Sequence, residues 1–491
     1  MAKSNPNPIR PTYLSLPRLA SALLAAVLAG CAAGPDYVPP PAPTQHAYTA
    51  QPVPGPALEG PGPQDQTLSP GARLREDWWT LLGSSELDRT VTLALAHNRT
   101  IAAAQANLSR AAEEVSVARG GLYPQLDATG GLARNQYGAS FLGPEAFTFP
   151  RFTAYSAGAA VSYAPDVFGG TRRSIEQASA NAAAQAQALN AVRLMVAGET
   201  VVEALRIASL RAQISVIEQV LASDAKTLDL VRSARAAGVA SDVDVTTAQS
   251  QLDHDRTLLP PLRQALNAAQ DALQTLVGET PADGTAPDFD LDQLSLPRDI
   301  PLAEPSDLVR GRPDIQAAEA QLHAASAAVG VAAADLYPRF TLTANIAEQG
   351  LLNGPSGAAW SLVGGLSAPI FHGGALSANK RAAEDAYQIA YAQYQQTVLL
   401  SFQQVADSLH DLSNSADAVR AEQKPLASAD SALELNRQGY GAGDAGVIQV
   451  LDAQRLQQLA ELGLVQARTQ RYLATVDLFV ATGGGLAAPP A

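Results

Sequence analysis

The stretch LYPRFTLTANI, residues 336–346, carries the pattern from which the fold is inferred. After its proline, polar residues at 339, 341, 343 and 345 alternate with apolar residues at 340, 342, 344 and 346. Such alternation is typical of a strand with one face in water and the other in an apolar medium. The stretch LYPQLDATGGL, residues 122–132, begins with the same three residues and alternates in the same way over residues 125–130.

The Leu-Tyr-Pro motif marks an internal two-fold sequence repeat. Its two copies lie 214 residues apart, and several other apolar positions match at the same offset. Further along, RAAGVASDVDVTTAQ (residues 235–249) aligns with YGAGDAGVIQVLDAQ (residues 440–454) at an offset of 205. A repeat of about 200 residues is far longer than the period of a solenoid or propeller, so it indicates a duplication into two equivalent halves.

The N-terminus predicts export and lipidation. Two arginines precede the apolar run 19–28, which has the length of a secretory signal and is too short to span a bilayer. The run ends at Leu28-Ala29-Gly30-Cys31, which resembles a bacterial lipobox, where the cysteine becomes the lipidated first residue. Alanines rather than an aspartate follow Cys31, which favours the outer membrane. The alternative is a free cysteine inside a leader or transmembrane segment.

Proline content and the repeat divide the chain into four parts. Proline is frequent between residues 34 and 63, which favours extended polyproline conformation or disorder over a folded domain. The predicted parts are a lipoprotein signal peptide (1–30), a lipid-anchored proline-rich strap (31–75), a first repeat (76–290) and a second repeat (291–491).

Each half also contains a second strand that can pair with the first. Return strands are predicted over residues 154–167 and 358–370, so four strands per chain are expected at about residues 124–168 and 338–371. Glycine and proline, Gly143-Pro144 and Gly354-Pro355, lie in the connecting loops. Four strands cannot close a barrel, and lipid tolerates no open sheet edge, so membrane insertion requires several chains to pool their strands. The alternative is two soluble hairpins on a periplasmic protein.

Long helices are predicted in both halves. Apolar residues between positions 175 and 196 recur with a mean spacing of 3.5, and no proline occurs between Gly170 and Gly238. One helix over residues 171–234 would be roughly 95 Å long. The segment from Ser241 onward can return antiparallel to it across a turn at Gly238. The second half repeats this design over residues 375–436 and 447–480, with Pro425 expected to interrupt its first helix.

Composition and motifs argue against nucleic-acid binding, metal binding and catalysis. The formal net charge is −14 and no cluster of basic residues occurs, so nucleic acid is a poor partner. The six histidines are far apart, without an HExxH motif, so no metal site is expected. Residues 441–446 match GxGxxG by letter, but a helical pattern precedes them where a dinucleotide fold needs a strand. We therefore expect no enzyme and no cofactor besides a covalent lipid on Cys31.

The second half carries a family resemblance. LVRGRPDIQAAE (residues 308–319), VGVA (329–332) and the second Leu-Tyr-Pro motif resemble the signature block of the outer-membrane efflux protein family. These are the TolC-like channels, and the chain is most similar to the OprM/NodT-type lipoprotein branch of tripartite efflux systems. Further motifs of the chain resemble those of the same branch: Gly34-Pro35-Asp36-Tyr37, Trp78-Trp79, Val450-Leu451-Asp452-Ala453-Gln454 and Gly483-Gly484-Gly485. The resemblance covers essentially the whole mature chain.

The resemblance implies a fold and partners. Long antiparallel coiled-coil helices of three chains would form a periplasmic tunnel, and twelve pooled strands would form a transmembrane β-barrel in the outer membrane. The fold class is therefore mainly α with a transmembrane β part, in a homotrimer. The implied partners are a periplasmic adaptor (membrane fusion) protein and an inner-membrane transporter of the resistance-nodulation-division class.

The resemblance also implies functional residues. The two helix-helix turns match the family's adaptor-contacting tips, which here are Ala237, Gly238, Val239, Ala442, Gly443 and Asp444. Tyr440 and Asp244 match a tyrosine and an aspartate whose contacts help to close the periplasmic gate. Asp452 matches an acidic position of the constriction, but the other member of that acidic pair is Gln449 here, which weakens cation binding at the mouth. The structural alternative for each carboxylate is a solvated helix face.

The sequence therefore predicts a passive exit duct for drugs or other small molecules, driven by the pump. The alternatives are a type I secretion duct and a lipid-anchored periplasmic coiled-coil scaffold without a pore.

The first testable prediction concerns the anchor. Cys31→Ser should abolish acylation and signal processing at this site, and the pooled strands should still hold the trimer in the membrane, although each acyl chain contributes about 0.8 kcal/mol per buried methylene. Mass spectrometry of the mature wild-type protein should find lipid on Cys31, and a lipid-free cysteine would refute the lipobox.

Overall fold

The computed structural model describes residues 33–41, 43–45, 47–50, 66–136, 150–282, 284 and 286–485. Cys31, the signal peptide and the Gly143-Pro144 loop lie outside these residues. The chain divides into two compact units. The first comprises Met1–Pro39, Arg110–Ala182 and Gln321–Tyr391, and the second comprises Pro40–Ser109, Ala183–Ala320 and Ala392–Ala491.

Helices dominate the described chain, as predicted. In chain order the helices and strands are β1 (Thr67–Pro70), α1 (Ser85–His97), α2 (Arg99–Gly120), β2 (Gln125–Asn135), β3 (Phe152–Tyr163), α3 (Gly170–Ala236), α4 (Asp242–Arg256), α5 (Leu259–Val277), β4 (Asp299–Leu302), α6 (Pro305–Gly311), α7 (Pro313–Ala334), β5 (Arg339–Leu351), β6 (Ser356–Ser367), α8 (Ala375–Ala442) and α9 (Val447–Ala481). Among the helices described, none is both long enough and apolar enough to cross a bilayer.

The long helices lie where their periodicity predicted them. α3 has 67 residues, which corresponds to roughly 100 Å at 1.5 Å per residue. α8 continues through Pro425 to Ala442, so this proline does not end the helix, and the local bend expected there stays a prediction. Val419 and Ala429 are buried on either side of Pro425. Packing on both sides therefore offsets the loss of one backbone hydrogen bond.

The first unit contains a four-stranded sheet of order β2-β3-β5-β6 in which every neighbouring pair is antiparallel. The return strands β3 and β6 end at Tyr163 and Ser367, before the predicted ends at residues 167 and 370. In each case a proline follows two residues later, Pro165 and Pro369. Because proline has no backbone N–H to donate, it ends the ladder there.

The register sorts side chains onto two faces of this sheet. Residue pairs such as Leu126↔Val161 and Ile346↔Trp360 place apolar side chains on one face. On that face lie Leu126, Leu132, Tyr155, Val161, Tyr163, Phe340, Leu342, Ile346, Trp360, Leu362 and Leu366. The opposite face carries Gln125, Asp127, Thr129, Ser156, Ser162, Thr341, Thr343, Asn345, Gln349, Ser361 and Ser367. The alternation at residues 339–346 thus recurs in the other strands, with Arg134 and Glu348 as charged exceptions on the apolar face and Val363 as an apolar exception on the polar face.

The second unit has an apolar core around Trp78. Its indole ring packs edge-on against Phe479 with centroids 5.7 Å apart, and Leu82 and Leu205 are fully buried beside it. Burying such side chains contributes about 1.5–3 kcal/mol each. The Trp78-Trp79 pair is therefore part of the core of the second unit.

A strand in the proline-rich strap was not predicted. β1 pairs in parallel with β4, with Thr67 opposite Asp299 and Pro70 opposite Leu302. The Tyr48 hydroxyl also donates to the carbonyl of Ala303 at 2.8 Å. The four residues of β1, TLSP, are too few to show an alternation that would predict a strand among the surrounding prolines. The end of the strap is therefore a structural part of the second unit.

Candidate functional site at the two helix-helix turns

The turn between α3 and α4 ends α3 in a left-handed glycine. Gly238 has a φ of +78°. Its N–H donates to the carbonyl of Arg235 at 3.0 Å, and the N–H of Val239 donates to the carbonyl of Ala234 at 2.9 Å. This pair of hydrogen bonds is the Schellman motif, in which glycine at C′ lets the chain satisfy the last helical carbonyls and reverse.

The turn between α8 and α9 repeats the same motif. Gly443 has a φ of +85°. Its N–H donates to the carbonyl of Tyr440 at 3.2 Å, and the N–H of Asp444 donates to the carbonyl of Gly439 at 2.8 Å. Each bond lies 205 residues after its counterpart in the first turn, the offset at which the two sequences align. Glycine is favoured at both positions because a Cβ disfavours this backbone.

All six residues predicted as adaptor-contacting tips are exposed: Ala237, Gly238, Val239, Ala442, Gly443 and Asp444. Val239 is 83% exposed. An added Cβ would meet no atom within 4 Å at Gly238 or at Gly443. Both turns are therefore accessible to a partner in the single chain.

Polar and charged groups fasten the first turn. Ser241 caps α4 in a capping box, in which its Oγ accepts from the N–H of Asp244 at 3.2 Å and the Asp244 carboxylate accepts from the N–H of Ser241 at 2.8 Å. The hydrogen bonds from Ser241 hold the pKa of Asp244 below its ordinary value. Arg235 and Asp242 form a two-point ion pair at 2.7 and 2.9 Å across the turn.

Packing, rather than charge, fastens the second turn. At the 205-residue offset, Arg235 and Asp242 correspond to Tyr440 and Val447. Val447 is buried, and Tyr440 packs against the apolar clusters beneath both turns. Gly446 stands at the N-cap of α9 without a side-chain hydrogen bond. The duplicated turns therefore share a backbone and differ in chemistry.

Two of the three predicted gate residues, Tyr440 and Asp244, lie near each other. Burial, and then the negative charge of Asp244, raise the pKa of Tyr440. The described hydrogen bonds of the Asp244 carboxylate, however, go to Ser241. The closing role of Tyr440 and Asp244 stays a prediction.

Asp452 lies on the exposed side of α9. Its side chain is 66% exposed and is 3.5 Å from Arg455, one helical turn away. Screening by water leaves such a pair little influence on stability. The carboxylate is thus free to face a water-filled space, and its role at a constriction also stays a prediction.

The helical hairpin α3–α4 (the first hairpin) and the helical hairpin α8–α9 (the second hairpin) pack side by side. The residues that join them were not identified from the sequence. An apolar cluster joins Leu228, Ala248 and Leu252 of the first hairpin to Val447 and Leu451 of the second. Beside it, Nε2 of Gln454 donates to Oγ of Ser223 at 2.6 Å. Gln454 was quoted only as part of a family motif, because a single glutamine in a helix gives no signal of burial.

A cleft of about 520 Å³ lies between the hairpins next to the second turn. It is lined in part by Lys226, Leu230, Arg437, Tyr440 and Val450. The cleft combines basic and apolar side chains, so it can bind a partner with both acidic and apolar groups.

In the first unit, the segment that follows Cys31 is held at the start of α3. Ala33 donates its N–H to the carbonyl of Phe168 at 2.9 Å, and Asp36 pairs with Arg173 at 2.6 Å. Tyr37 stacks on the ring of His323, with centroids 4.2 Å apart. The motif Gly34–Tyr37 is thus a docking segment that fixes the chain immediately after the predicted lipid anchor. The motif was recognisable in the sequence, but its partners Arg173 and His323 were not.

Metal-ligating residues do not cluster in the part of the chain that the structure describes. Over those residues, no group of three or more His, Cys, Asp or Glu side chains could hold a metal ion.

Comparisons with known proteins agree with this geometry. The family model described as "Outer membrane efflux protein" matches residues 90–279 and 305–484. The outer membrane protein OprJ of Pseudomonas aeruginosa is 30% identical over 478 residues, which is 94% of this chain and 95% of OprJ. The pyoverdine export outer membrane protein OpmQ of the same species is 30% identical over 418 residues, which is 83% of this chain and 87% of OpmQ.

A solved structure of the outer-membrane channel OprN is similar to this fold with a TM-score of 0.82 and 25% identity, over 92% of this chain and 99% of OprN. The fold and the comparisons together define an outer-membrane efflux channel. The chain belongs to the outer membrane efflux protein family. Family membership confirms the predicted outer-membrane location and the prediction of a transport duct rather than an enzyme.

The duplicated turns generate a stability prediction. Gly443→Ala should lower the free energy of unfolding by about 1–2 kcal/mol, because alanine disfavours the left-handed backbone. Gly441→Ala is the matched control, since Gly441 lies in the last turn of α8 with equally open space. There alanine should raise the free energy of unfolding by about 0.5–1 kcal/mol. Thermal unfolding of the purified variants measures both, and shifts of the same sign would contradict the assigned turn.

Proposed function

We propose that three copies of this chain form the exit duct of a tripartite efflux pump. Strands pooled from the three chains make a twelve-stranded barrel in the outer membrane, and the paired helices line a periplasmic tunnel. An adaptor protein docks on the exposed turns, and an inner-membrane transporter of the resistance-nodulation-division class supplies the energy. The duct itself is passive: it consists of a channel wall and a gate and has no energy source of its own.

The sheet is the observation that carries the proposal. Within the described residues its outer strands are β2 and β6, which have 11 and 12 residues. Strands of about 9–11 residues span a bilayer when tilted. Because all three strand pairs are antiparallel, β2 and β6 run in opposite directions. β6 of one copy can therefore pair antiparallel with β2 of the next, and three copies close the ring.

The two faces of the sheet suit the two sides of a barrel wall. The face with Leu342, Ile346 and Trp360 is apolar enough for lipid, and Trp360 is 77% exposed in the single chain. The face with Thr341, Thr343 and Asn345 suits a water-filled lumen. Alternation of apolar outward and polar inward side chains is the pattern of transmembrane barrels.

The barrel assignment generates a paired prediction. Leu342→Arg should lower the yield of membrane-inserted trimer, since a charge on the lipid face costs about 2–4 kcal/mol near the bilayer midplane. Thr343→Arg adds the same charge one residue along on the opposite face and should assemble. Both are measured as heat-modifiable trimer in purified outer membrane. Equal tolerance of the two variants would refute the barrel.

The tips support an adaptor site. The two turns expose backbone and small side chains, and the cleft beside Tyr440 is large enough for side chains of a partner hairpin. A bulky residue at Gly443 would block close approach of that partner.

Gly443→Leu should therefore impair efflux while the protein still reaches the membrane. Gly71→Leu is a matched control. Gly71 also has a positive φ of 78° and open space around a Cβ, but it follows β1 and lies outside the tips. The measurement is drug susceptibility at matched expression in a strain that depends on this channel. Equal efflux in the two variants would remove the docking role of the tip.

The substrates follow from the pump in this proposal. OpmQ is by its name a pyoverdine exporter, whereas OprJ is named only as an outer membrane protein. A family duct thus serves whichever molecules the transporter delivers, and we expect drugs or other small molecules here. The lipid on Cys31 would anchor the strap beside the barrel.

Conductance of the purified protein in a planar bilayer tests the duct directly. Single-channel currents from trimers would support it, and trimers that insert without conductance would favour a scaffold without a pore.

A further inference from the structure

Two buried carboxyl groups face each other between the helices of the first hairpin. Asp224 of α3 and Asp255 of α4 are 2% and 3% exposed, and their side chains are within hydrogen-bond reach. Nε2 of Gln251 donates to Oδ2 of Asp255 at 2.8 Å. Oδ2 of Asp224 is buried and has no hydrogen-bond partner among the described residues. The predicted function uses neither aspartate.

The surrounding charges do not compensate the pair. Asp255 raises the pKa of Asp224 through a hydrogen bond and through its negative charge. The flanking charged side chains of α3 and α4 point to solvent: Lys226, Asp229, Asp253, His254 and Arg256. From α8, Arg437 donates to Oγ of Ser223. From α9, the buried polar side chains in this part are Gln454 and Gln458, which are uncharged. Two adjacent buried negative charges without a cation are strongly unfavourable, whereas one shared proton removes the repulsion.

The second hairpin provides an internal reference. At the 205-residue offset, Asp224 and Asp255 correspond to Ala429 and Ala460, which are 8% and 7% exposed. Gln251 corresponds to Leu456. Neighbouring positions keep their residue type, since Leu228 corresponds to Leu433 and Ala248 to Ala453. The helices thus pack at this level with alanines, so the carboxyl pair is not required for packing.

The two hairpins also differ in the helix that leads away from the turn. α9 is continuous from Val447 to Ala481, whereas the corresponding arm of the first hairpin is divided at Thr257 and Leu258 between α4 and α5. Prolines at 260 and 261, which lack backbone donors, follow the break. Asp255 lies in the last turn of α4, where the helix dipole disfavours negative charge. The pair therefore lies directly beside a break that can absorb movement.

We propose that Asp224 and Asp255 share one proton and act as a pH-sensitive clasp that holds α4 against α3. When the proton leaves, the two carboxylates repel and α4 moves away from α3 at the Thr257–Leu258 break. The apolar cluster beneath the first turn, Leu228 with Ala248 and Leu252, then loosens. The first hairpin responds to pH by this route, and the second, with its alanines, does not.

The sign of the effect follows from linkage. Burial, followed by the hydrogen bond and the charge of Asp255, raises the pKa of Asp224 to about 7. The folded protein then binds the proton more tightly than the unfolded chain. The stabilisation is complete below the ordinary pKa of an aspartate, falls as pH rises, and is lost once the pH has passed through about 7. The pair has therefore lost its proton in half of the folded molecules near pH 7.

The test uses the purified full-length protein in detergent and needs neither pump nor adaptor, so its result does not depend on the proposed duct. Thermal unfolding is measured from pH 5 to 8.5 for the wild type and for Asp224→Ala/Asp255→Ala, which copies the second hairpin. The stability of the wild type relative to this variant should fall up to about pH 7 and then stay level. Asp229→Ala, an exposed aspartate on the same helix, should follow the wild type.

Infrared spectroscopy detects the protonated carboxyl group directly. The wild type should show the band of a protonated carboxyl at pH 6, with a tenfold change in the ratio of protonated to ionised form per pH unit, and Asp224→Asn should lack it. Hydrogen exchange, corrected for its intrinsic pH dependence, should increase at residues 242–258 above pH 7 in the wild type and not in the double alanine variant. Absence of the band at pH 6, or a pH-independent difference in unfolding between wild type and double variant, would overturn the proposal.

Discussion

Backbone hydrogen bonding at the sheet edges is the constraint on which the molecule depends. Each outer strand of the four-stranded sheet, β2 and β6, has one edge without a partner strand in the described chain. In lipid every unpaired N–H or C=O costs several kcal/mol, so a single copy with its apolar face in a membrane is not a stable state. The opposite directions of β2 and β6 make closure by further copies geometrically simple. In the proposed duct, oligomerisation is thus a consequence of strand number rather than an added property.

Much of this architecture could be predicted from local sequence patterns, because strand periodicity and helix ends depend on residues close together in the sequence. The alternation at Phe340 to Ile346 fixes which side chains share a face, since a strand has a period of two. The end of α3 was predicted within two residues and that of α8 six residues too early, and Gly238 and Gly443 supply the left-handed backbone that closes each helix. Prolines gave weaker information. Pro165 and Pro369 end strands, whereas Pro425 is tolerated because buried residues on both sides keep α8 in place.

The remaining features could not be predicted because they depend on which helices meet. Asp224 reads as one more polar residue on a helix, and its burial appears only when Asp255 is brought opposite it. The same holds for Arg471, which is 1% exposed and donates to the carbonyl of Leu412 at 2.6 Å. The ion pair of Asp36 with Arg173 joins residues 137 positions apart. For the gate, the sequence identified Tyr440 and Asp244 by resemblance, and the structure shows a different local role for Asp244 as half of a capping box.

The two hairpins have turns of the same backbone geometry but different side-chain chemistry. The hydrogen bonds at Gly238 and Gly443 belong to the backbone, so they constrain only the glycine and leave neighbouring side chains free to change. The first hairpin has charged groups near its turn: the capping box, the Arg235–Asp242 pair and the buried aspartates. The second has apolar contacts through Tyr440 and Val447. Ion pairs and carboxyl groups respond to salt and protons, whereas apolar contacts do not. The two hairpins contact each other through Leu228 and Leu451, so the polar groups of the first turn lie beside an apolar surface of the second.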